Sequence, residues 1–591
     1  MSVEHVQSRP GRALLIATSL LFGVLVVRLF LLQVAGGRYY RARSEENRIQ
    51  PVSLRAQRGL ILDRKGEVLA ANRPSYSIMF TRSGAPDAER TLERLSRLIG
   101  LEKGDLEYRS AGRWRPVKLV RDASFEMISV VEEHRYDLPG VEIDIEARRA
   151  YPIGTYASHV IGYMGEMAEQ EFEDLYQRGY VLGQWIGRDG VEREYEEILR
   201  GANGIEYREV TAAGREIGTL PEGRIPPRPG VDILLALDRD LQCVAEDVFP
   251  DTATGALVAL NPQNGDILAM VSRPNFDPRL FSSPMSPEIW SQMANDPHKP
   301  LLNRSVRGLY PPGSTLKMVT AMAALDAGVV DERWRAPACT GALQFGDRLY
   351  GCWREEGHGR LGLIQGIAQS GDVVFYHLGI KTGLDRWSAR ARAFEFGERT
   401  GLDLPMEETG LVPSTEYYNR RYGPGRWTRG LMLNVAIGQG EILATPLQMA
   451  RFTGAICTEG YLVQPHLLLR EGMKGPHHAS RRIPVKGVSG RTLRLMKKAM
   501  LETVEGGRGT AKGAYIPGHR IAAKTGTAQN PHGENHSWFV GFAPFEQSSI
   551  AIAVVVEQGG SGSGIATSIA RAVLEVHLSA PRMVASLDDG N

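Results

Sequence analysis

Charge of one sign is what this 591-residue chain lacks most plainly: 70 lysines and arginines meet 68 aspartates and glutamates, for a net charge of +2. No basic excess or stripe offers itself to a phosphate backbone, which argues against a nucleic-acid partner. No repeat of 20–50 residues and no low-complexity tract occurs, so the sequence does not read as a solenoid or a tail-like chain. Hydrophobic residues make up 42% and charged residues 23%, ordinary for a globular protein and wrong for a wholly disordered or polytopic membrane chain. Cysteine is scarce, with four in all. The length exceeds what one hydrophobic core usually serves, so more than one folded unit is expected.

One long apolar run is present. Residues 13–34 read ALLIATSLLFGVLVVRLFLLQV, apolar except for Thr18, Ser19, Arg28 and Gln33. About 20 such residues span a bilayer as a helix. Arg9 and Arg12 precede the run with little acid nearby, so residues 1–12 are expected to form a cytoplasmic tail and the bulk of the chain to lie outside. No A-x-A-like cleavage site follows, and the run is longer than a signal-peptide core, which favours an uncleaved anchor over residues 13–35.

Beyond the anchor, RGLILDRKGEVLAA at 58–71 reads as strand, turn, strand, with Gly66 at the turn. Charged helical stretches are expected near 87–100 and 166–178, and a glycine-bounded helix in GRDGVEREYEEILRGANG at 187–204. Their arginines and glutamates are read as solvated helix faces. PEGRIPPRP at 221–229 is the most linker-like stretch, and it divides an N-terminal module, 36–229, from a C-terminal one, 230–580. Residues 581–591 form a C-terminal tail.

The second module opens with a helix near 238–248 and then GALVALNPQNGDILAMVS, whose Asn264-Gly265 signals a hairpin. Three strands are expected in IAAKTGTAQ, SWFVGFAPF and SIAIAVVVE, with a closing helix over 565–578. Strands at both ends enclosing helices imply an α+β module, one antiparallel sheet covered by helices.

Three short motifs occur there in order. In LYPPGSTLK, the Pro-Pro-Gly run precedes a helix ending near Gly328, placing Ser314 in its first turn and Lys317 one turn on, on the same face. A serine hydroxyl needs a base to become a nucleophile, and a lysine serves only if burial or charge lowers its pKa. Ser370-Gly371-Asp372 comes next. Lys524-Thr525-Gly526-Thr527 ends an apolar run and so sits on a strand; Lys524 supplies positive charge, Thr525 and Thr527 accompany it on the strand, and Gly526 is expected to leave room for substrate. An edge strand docks an extended peptide by main-chain hydrogen bonds. Singly each motif is weak; together, in this order, they match the set S-x-x-K, S-x-[ND], K-T-G.

On these motifs, with RGLILDRKGEVLA, GRDGVEREYEEILRG, NRSVRGLYPPGSTLK, GQGEILATPLQMA and AAKTGTAQ, the sequence resembles the class B penicillin-binding proteins almost end to end. It is most similar to their elongation-phase branch, penicillin-binding protein 2, because Asp372 stands where septal homologues carry Asn. The resemblance implies a single membrane helix, an elongated pedestal and a transpeptidase domain of the penicillin-binding/serine β-lactamase fold. It implies D,D-transpeptidation of peptidoglycan stem peptides, inhibition by β-lactams, no cofactor for catalysis, and a SEDS-family glycosyltransferase and other elongation-complex proteins as partners. By the same resemblance Ser314 attacks, Lys317 is the base, Ser370 relays a proton, and Asp372 orients Lys317. Lys524 and Thr527 bind the terminal carboxylate, and the N–H groups of Ser314 and Thr527 form the oxyanion hole. A septal transpeptidase, and a penicillin-binding sensor or scaffold whose first module activates a glycosyltransferase, stand as alternatives.

Cys339 and Cys352, with His358 close behind, admit three readings: a disulfide, the default in an exported protein, a zinc site, or two free thiols. Relatives of this branch carry a structural zinc here with a fourth ligand inside the second motif, where this chain has Gly371. Cys243 and Cys457 read as single buried thiols. Tyr310 and Gly438-Gln439-Gly440 border the site by family analogy; His536-Ser537-Trp538, after the KTGT strand, admits lining of the cleft or, for Trp538, packing in the core.

Overall fold

A computed structural model describes residues 9–39, 48–110, 116–181, 183–211, 216–283 and 285–580. Residues 1–8 of the expected cytoplasmic tail and all of the 581–591 tail lie outside the described residues. The N-terminal helix Arg9–Phe30 runs into a π turn at Leu31–Ala35. Over Leu14–Ala35 its hydropathy averages 2.5 and none of that window is buried in protein. Among the described residues it is the one helix long and apolar enough to cross a membrane.

Contacts divide the chain into two units that do not follow chain order. One holds residues 1–57, 73–148 and 201–229; the other holds 58–72, 149–200 and 230–591. In the first, Ile49–Leu54, Gly204–Val210 and Glu216–Ile225 form an antiparallel three-stranded sheet. The expected linker is therefore half strand, since Pro221–Ile225 belongs to that sheet. A small core of Ile78, Phe80, Leu92, Leu95, Leu119 and Val131 closes this unit. Helix Ala88–Ile99 supplies part of it, capped by the Asp87 carboxylate on Arg90 N and ended by Gly100 at φ 71°.

In the second unit the turn after Ile61–Leu62 is as expected, with Gly66 at φ 86° returning the chain to Val68. The glycine-bounded segment after residue 187 is two short helices, Gly190–Glu194 and Glu196–Leu199. The charges here are not the solvated face expected. Glu192 is fully buried between Arg58 (2.7 Å) and Arg149 (2.5 Å), and Arg58 also reaches Glu196 at 2.7 Å. A buried carboxylate persists only when paired, and the two arginines come from segments about 40 and 130 residues away in sequence, beyond any local pattern.

The central sheet of this unit is antiparallel. Its elements, in chain order, are β1 (Gly255–Leu260), β2 (Ile267–Arg273), α1 (Lys317–Asp326), β3 (Ala342–Phe345), β4 (Arg348–Gly351), α2 (Asp372–Thr382), α3 (Pro446–Cys457), α4 (Gly490–Glu505), β5 (Ala522–Ala528), β6 (His536–Ala543), β7 (Ile550–Val556) and α5 (Ile565–Ser579). The strand order is β2-β1-β7-β6-β5, so β5 is an edge; β3 and β4 form a separate hairpin. Alternate residues feed two cores. Val258, Trp538, Val540 and Val555 pack with α1 and α3 on one face, whereas Leu257, Phe539, Ile552 and Val554 pack with α5 on the other. Burial on both faces explains why these strands read as near-continuous apolar runs.

Candidate active site

The three motifs meet at β5. Ser314 lies on a one-turn 3-10 helix, Gly313–Leu316, that leads into α1. Gly313 holds φ 57° and donates its N–H to Gly438 O at 2.8 Å. A Cβ on Gly313 would come within 2.7 Å of Thr527 O, so the nucleophile's turn is pressed against the edge strand. Trp538, fully buried on β6, pins the same turn by donating its indole N–H to Pro311 O at 3.1 Å.

Gly526 does a different job from the one its sequence suggested. A Cβ there would meet Thr315 Cγ2 at 2.9 Å, Pro312 O at 3.0 Å and Trp538 Cβ at 3.1 Å. The space is taken by the Ser314 turn, and glycine is what lets strand and turn touch.

Lys317, fully buried on α1, donates to Asp372 Oδ1 at 2.7 Å, Ser370 O at 2.8 Å and Ser370 Oγ at 3.0 Å. These are three acceptors for the three N–H bonds of an ammonium. Asp372 opens α2, and Ser370 precedes it at φ 55°, a left-handed conformation that turns the chain back onto Lys317. Lys524, fully buried on β5, donates to Thr525 O at 2.7 Å and to the same Ser370 Oγ at 3.1 Å. Burial, and then the charge of Lys317, hold its pKa well below the ordinary lysine value.

Above these amines opens a cleft of about 1140 Å³. Ser314, Ser370, Asp372, Thr525, Gly526 and Thr527 all line it, so the three motifs share one cavity. Several of its contacts carry no sequence signal. Trp353 donates its backbone N–H to Asp372 Oδ2 (2.9 Å) and its indole N–H to Ser370 O (3.1 Å). Thr510 Oγ1 and Thr525 Oγ1 are 2.7 Å apart. Gln439, within the glycine pair noted above, lines the cleft and donates to Thr527 O at 3.0 Å. Tyr310 is buried behind the turn with its hydroxyl donated to Glu557 at 2.7 Å, and it does not line the cleft.

Cys339, Cys352 and His358 converge, their ligand atoms all within 4.8 Å of one another, and the two thiols are not bonded to each other. His358 Nδ1 is 3.4 Å from Cys352 Sγ and 3.9 Å from Cys339 Sγ. A tetrahedral zinc with bonds of about 2.3 Å to sulfur and about 2.0 Å to nitrogen separates such ligands by roughly 3.5 Å, so the three atoms fit. A Cβ on Gly371 would lie 3.6 Å from His358 Nδ1, so residue 371 faces the cluster but offers it no donor. Without a metal, burial and then Asp372 push the Cys352 thiol up to about 11. Cys457 is a buried thiol as expected; Cys243 is only half-buried.

The sequence matches the penicillin binding protein transpeptidase domain over residues 255–575 and the penicillin-binding protein dimerisation domain over 53–235. It is 33% identical over 584 residues to the peptidoglycan D,D-transpeptidase MrdA of Escherichia coli K12, covering 93% of this chain and 90% of that one. The complex of penicillin-binding protein PBP2 with MreC from Helicobacter pylori contains a chain that superposes with a TM-score of 0.79 at 28% identity, over 90% of this chain and 99% of that one. A chain of a peptidoglycan synthase complex, solved for its coordination of polymerization and crosslinking, gives 0.73 at 30% identity, over 98% of this chain and all of the other.

Proposed function

Because the chain belongs to the penicillin-binding protein transpeptidases, we propose that Ser314 is the residue it acylates and that Lys317, Ser370, Asp372 and Lys524 carry the proton and charge traffic around it. The protein is a peptidoglycan D,D-transpeptidase of cell elongation and a single-pass membrane protein. The observation that carries the residue assignment is the meeting of both buried lysines on Ser370 Oγ in the cleft that Ser314 lines.

Ser314 Oγ attacks the carbonyl between the two terminal D-alanines of a stem peptide. Its proton passes to the Lys317 amine, the general base. The C–N bond then breaks, and the departing D-alanine takes a proton delivered through Ser370, whose hydroxyl contacts both amines. An amine of a second stem peptide attacks the ester; Ser314 Oγ leaves and regains a proton, closing the cycle. Attack by water makes the same enzyme a carboxypeptidase. Asp372 holds Lys317 in place. Lys524, Thr525 and Thr527 receive the donor's terminal carboxylate, which supplies the counter-charge that the low-pKa Lys524 lacks. The N–H groups of Ser314 and Thr527 face the developing oxyanion. β-Lactams acylate the same serine.

None of these steps needs a metal. Cys339, Cys352 and His358 would hold a structural zinc, whose role there is to fix the loop behind Asp372. The N-terminus lies inside, the bulk lies outside the inner membrane, and residues 36–229 act as a pedestal. The membrane helix and pedestal dock a SEDS-family glycosyltransferase and other elongation-complex proteins. The pairing of the H. pylori protein with MreC and the synthase complex supports this reading. The test is Ser314→Ala in the full-length protein: covalent labelling by a fluorescent penicillin is lost while the unfolding midpoint is kept. Labelling that persists refutes the assignment.

A further inference from the structure

Donor binding as assigned above uses the β5 residues of the cleft, and leaves the part of its lining built by the β3–β4 hairpin without a role. We propose that Arg348 on this hairpin binds a carboxylate of the acceptor stem peptide, the strand whose amine resolves the acyl-enzyme; the proposal rests on Ser314 being the acylated residue.

The hairpin is anchored rather than loose. Tyr376 of α2 donates its hydroxyl to Gly351 O at 2.9 Å, Cys352 N donates to Gly341 O at 2.7 Å, and Trp353 at its foot is bonded to Asp372. Tyr350 packs edge-on against Tyr376, with ring centroids 5.8 Å apart. Over this fixed ring sits the Arg348 guanidinium, 5.2 Å from the centroid, lining the cleft. Among the described residues Arg348 forms no ion pair, although Asp347 is its neighbour in sequence. A planar cation held over an aromatic ring, facing a reaction cleft and lacking an anionic partner, is matched by a carboxylate in bidentate contact.

The position also suits the chemistry. The hairpin stands on the Ser370–Asp372 side, through Trp353, so a peptide gripped at Arg348 presents its amine toward Ser370, the group able to take the proton that amine sheds. Arg508, a second cleft-lining arginine, is two residues from Thr510, which contacts Thr525 of β5, and so belongs to the donor side.

The experiment uses the purified full-length protein with a donor peptide ending in D-Ala-D-Ala. Nα-acetyl-lysine and Nα-acetyl-lysinamide serve as acceptors, alike in amine and differing in the carboxylate. The ratio of aminolysis to hydrolysis of the acyl-enzyme is measured for each. Wild type is expected to favour the carboxylate acceptor roughly tenfold or more, the size of a charge-assisted contact. Arg348→Gln should erase that preference and Arg348→Lys retain part of it, while penicillin acylates all three at similar rates, showing that each is folded. Arg508→Gln should keep the preference. A wild type indifferent to the carboxylate, an Arg348→Gln variant that still discriminates, or a preference lost in Arg508→Gln instead, overturns the proposal. A wild type that penicillin does not acylate fails at the earlier step and refutes the reading of Ser314 itself.

Discussion

Lys317 and Lys524, fully buried on different elements, share one hydroxyl: Ser370 Oγ lies 3.0 Å from the first amine and 3.1 Å from the second. Of the two amines, Asp372 accepts a hydrogen bond from that of Lys317 alone. Two buried ammonium groups beside one carboxylate leave a charge uncompensated, and burial first and Lys317 second drive the Lys524 pKa down.

Stability should register that displaced proton. Between the folded pKa of Lys524 and its ordinary 10.5, the unfolded chain binds a proton that the folded chain does not, so wild-type stability rises with pH across that window. The slope from this one group is at most about 1.4 kcal/mol per pH unit. Lys524→Met removes it. In chemical denaturation the stability of Lys524→Met relative to wild type should therefore fall as pH rises from 7 to 10. A difference that stays constant would mean Lys524 is charged in the fold throughout.

Gly526→Ala tests the contact between the edge strand and the nucleophile's turn. The added methyl meets Thr315, Pro312 O and Trp538 at 2.9–3.1 Å, and two of these belong to the turn that carries Ser314. Overpacking of this kind costs about 1–3 kcal/mol. Because the displacement falls on the reacting group, penicillin acylation should drop roughly tenfold or more, with the protein still folded. An unchanged acylation rate would return Gly526 to the role of making room for substrate.

The sequence made Ser314, Lys317 and Lys524 legible because their message is local: spacing of three on a helix, and an apolar run that can only be strand. What stayed hidden depends on distant parts of the chain. The direction of the missing Cβ at Gly526 is set by a turn more than 200 residues earlier. Trp353 follows a cysteine in an unremarkable loop, and only the fold brings it to Asp372. Glu192 looked like one more acid on a charged helix because both its arginine partners lie outside that helix.

Glu192 should accordingly be among the most sensitive positions away from the cleft. Glu192→Ala leaves Arg58 and Arg149 buried without their shared partner, a loss of about 3–5 kcal/mol. Burial alone would raise the Glu192 pKa, but Arg149 and Arg58 outweigh it and hold the value below the ordinary 4.5. The ion pairs therefore stabilise the fold fully above that pH and fade only as acid drives the pH down through the lowered pKa. Denaturant midpoints of wild type and variant should converge at strongly acidic pH and separate above 4.5. Midpoints that agree at neutral pH would show the network to be dispensable.

The cysteine cluster makes its own demand on position 371. Gly371 has φ −68°, which any residue adopts, and a Cβ there has Leu361 Cδ1 at 3.2 Å and His358 Nδ1 at 3.6 Å. A cysteine at this place directs a third thiolate toward Cys339, Cys352 and His358 and completes a four-ligand zinc sphere, with Leu361 giving way by a small rotation. Gly371→Cys should then retain zinc against a chelator at least about tenfold longer than wild type, and zinc binding should raise its unfolding midpoint more. Native mass spectrometry of both proteins reads the metal directly. Equal retention would place the fourth ligand elsewhere. Absence of zinc from both, with Cys339 and Cys352 shielded from alkylation until a reductant is added, would decide for the disulfide and against the metal.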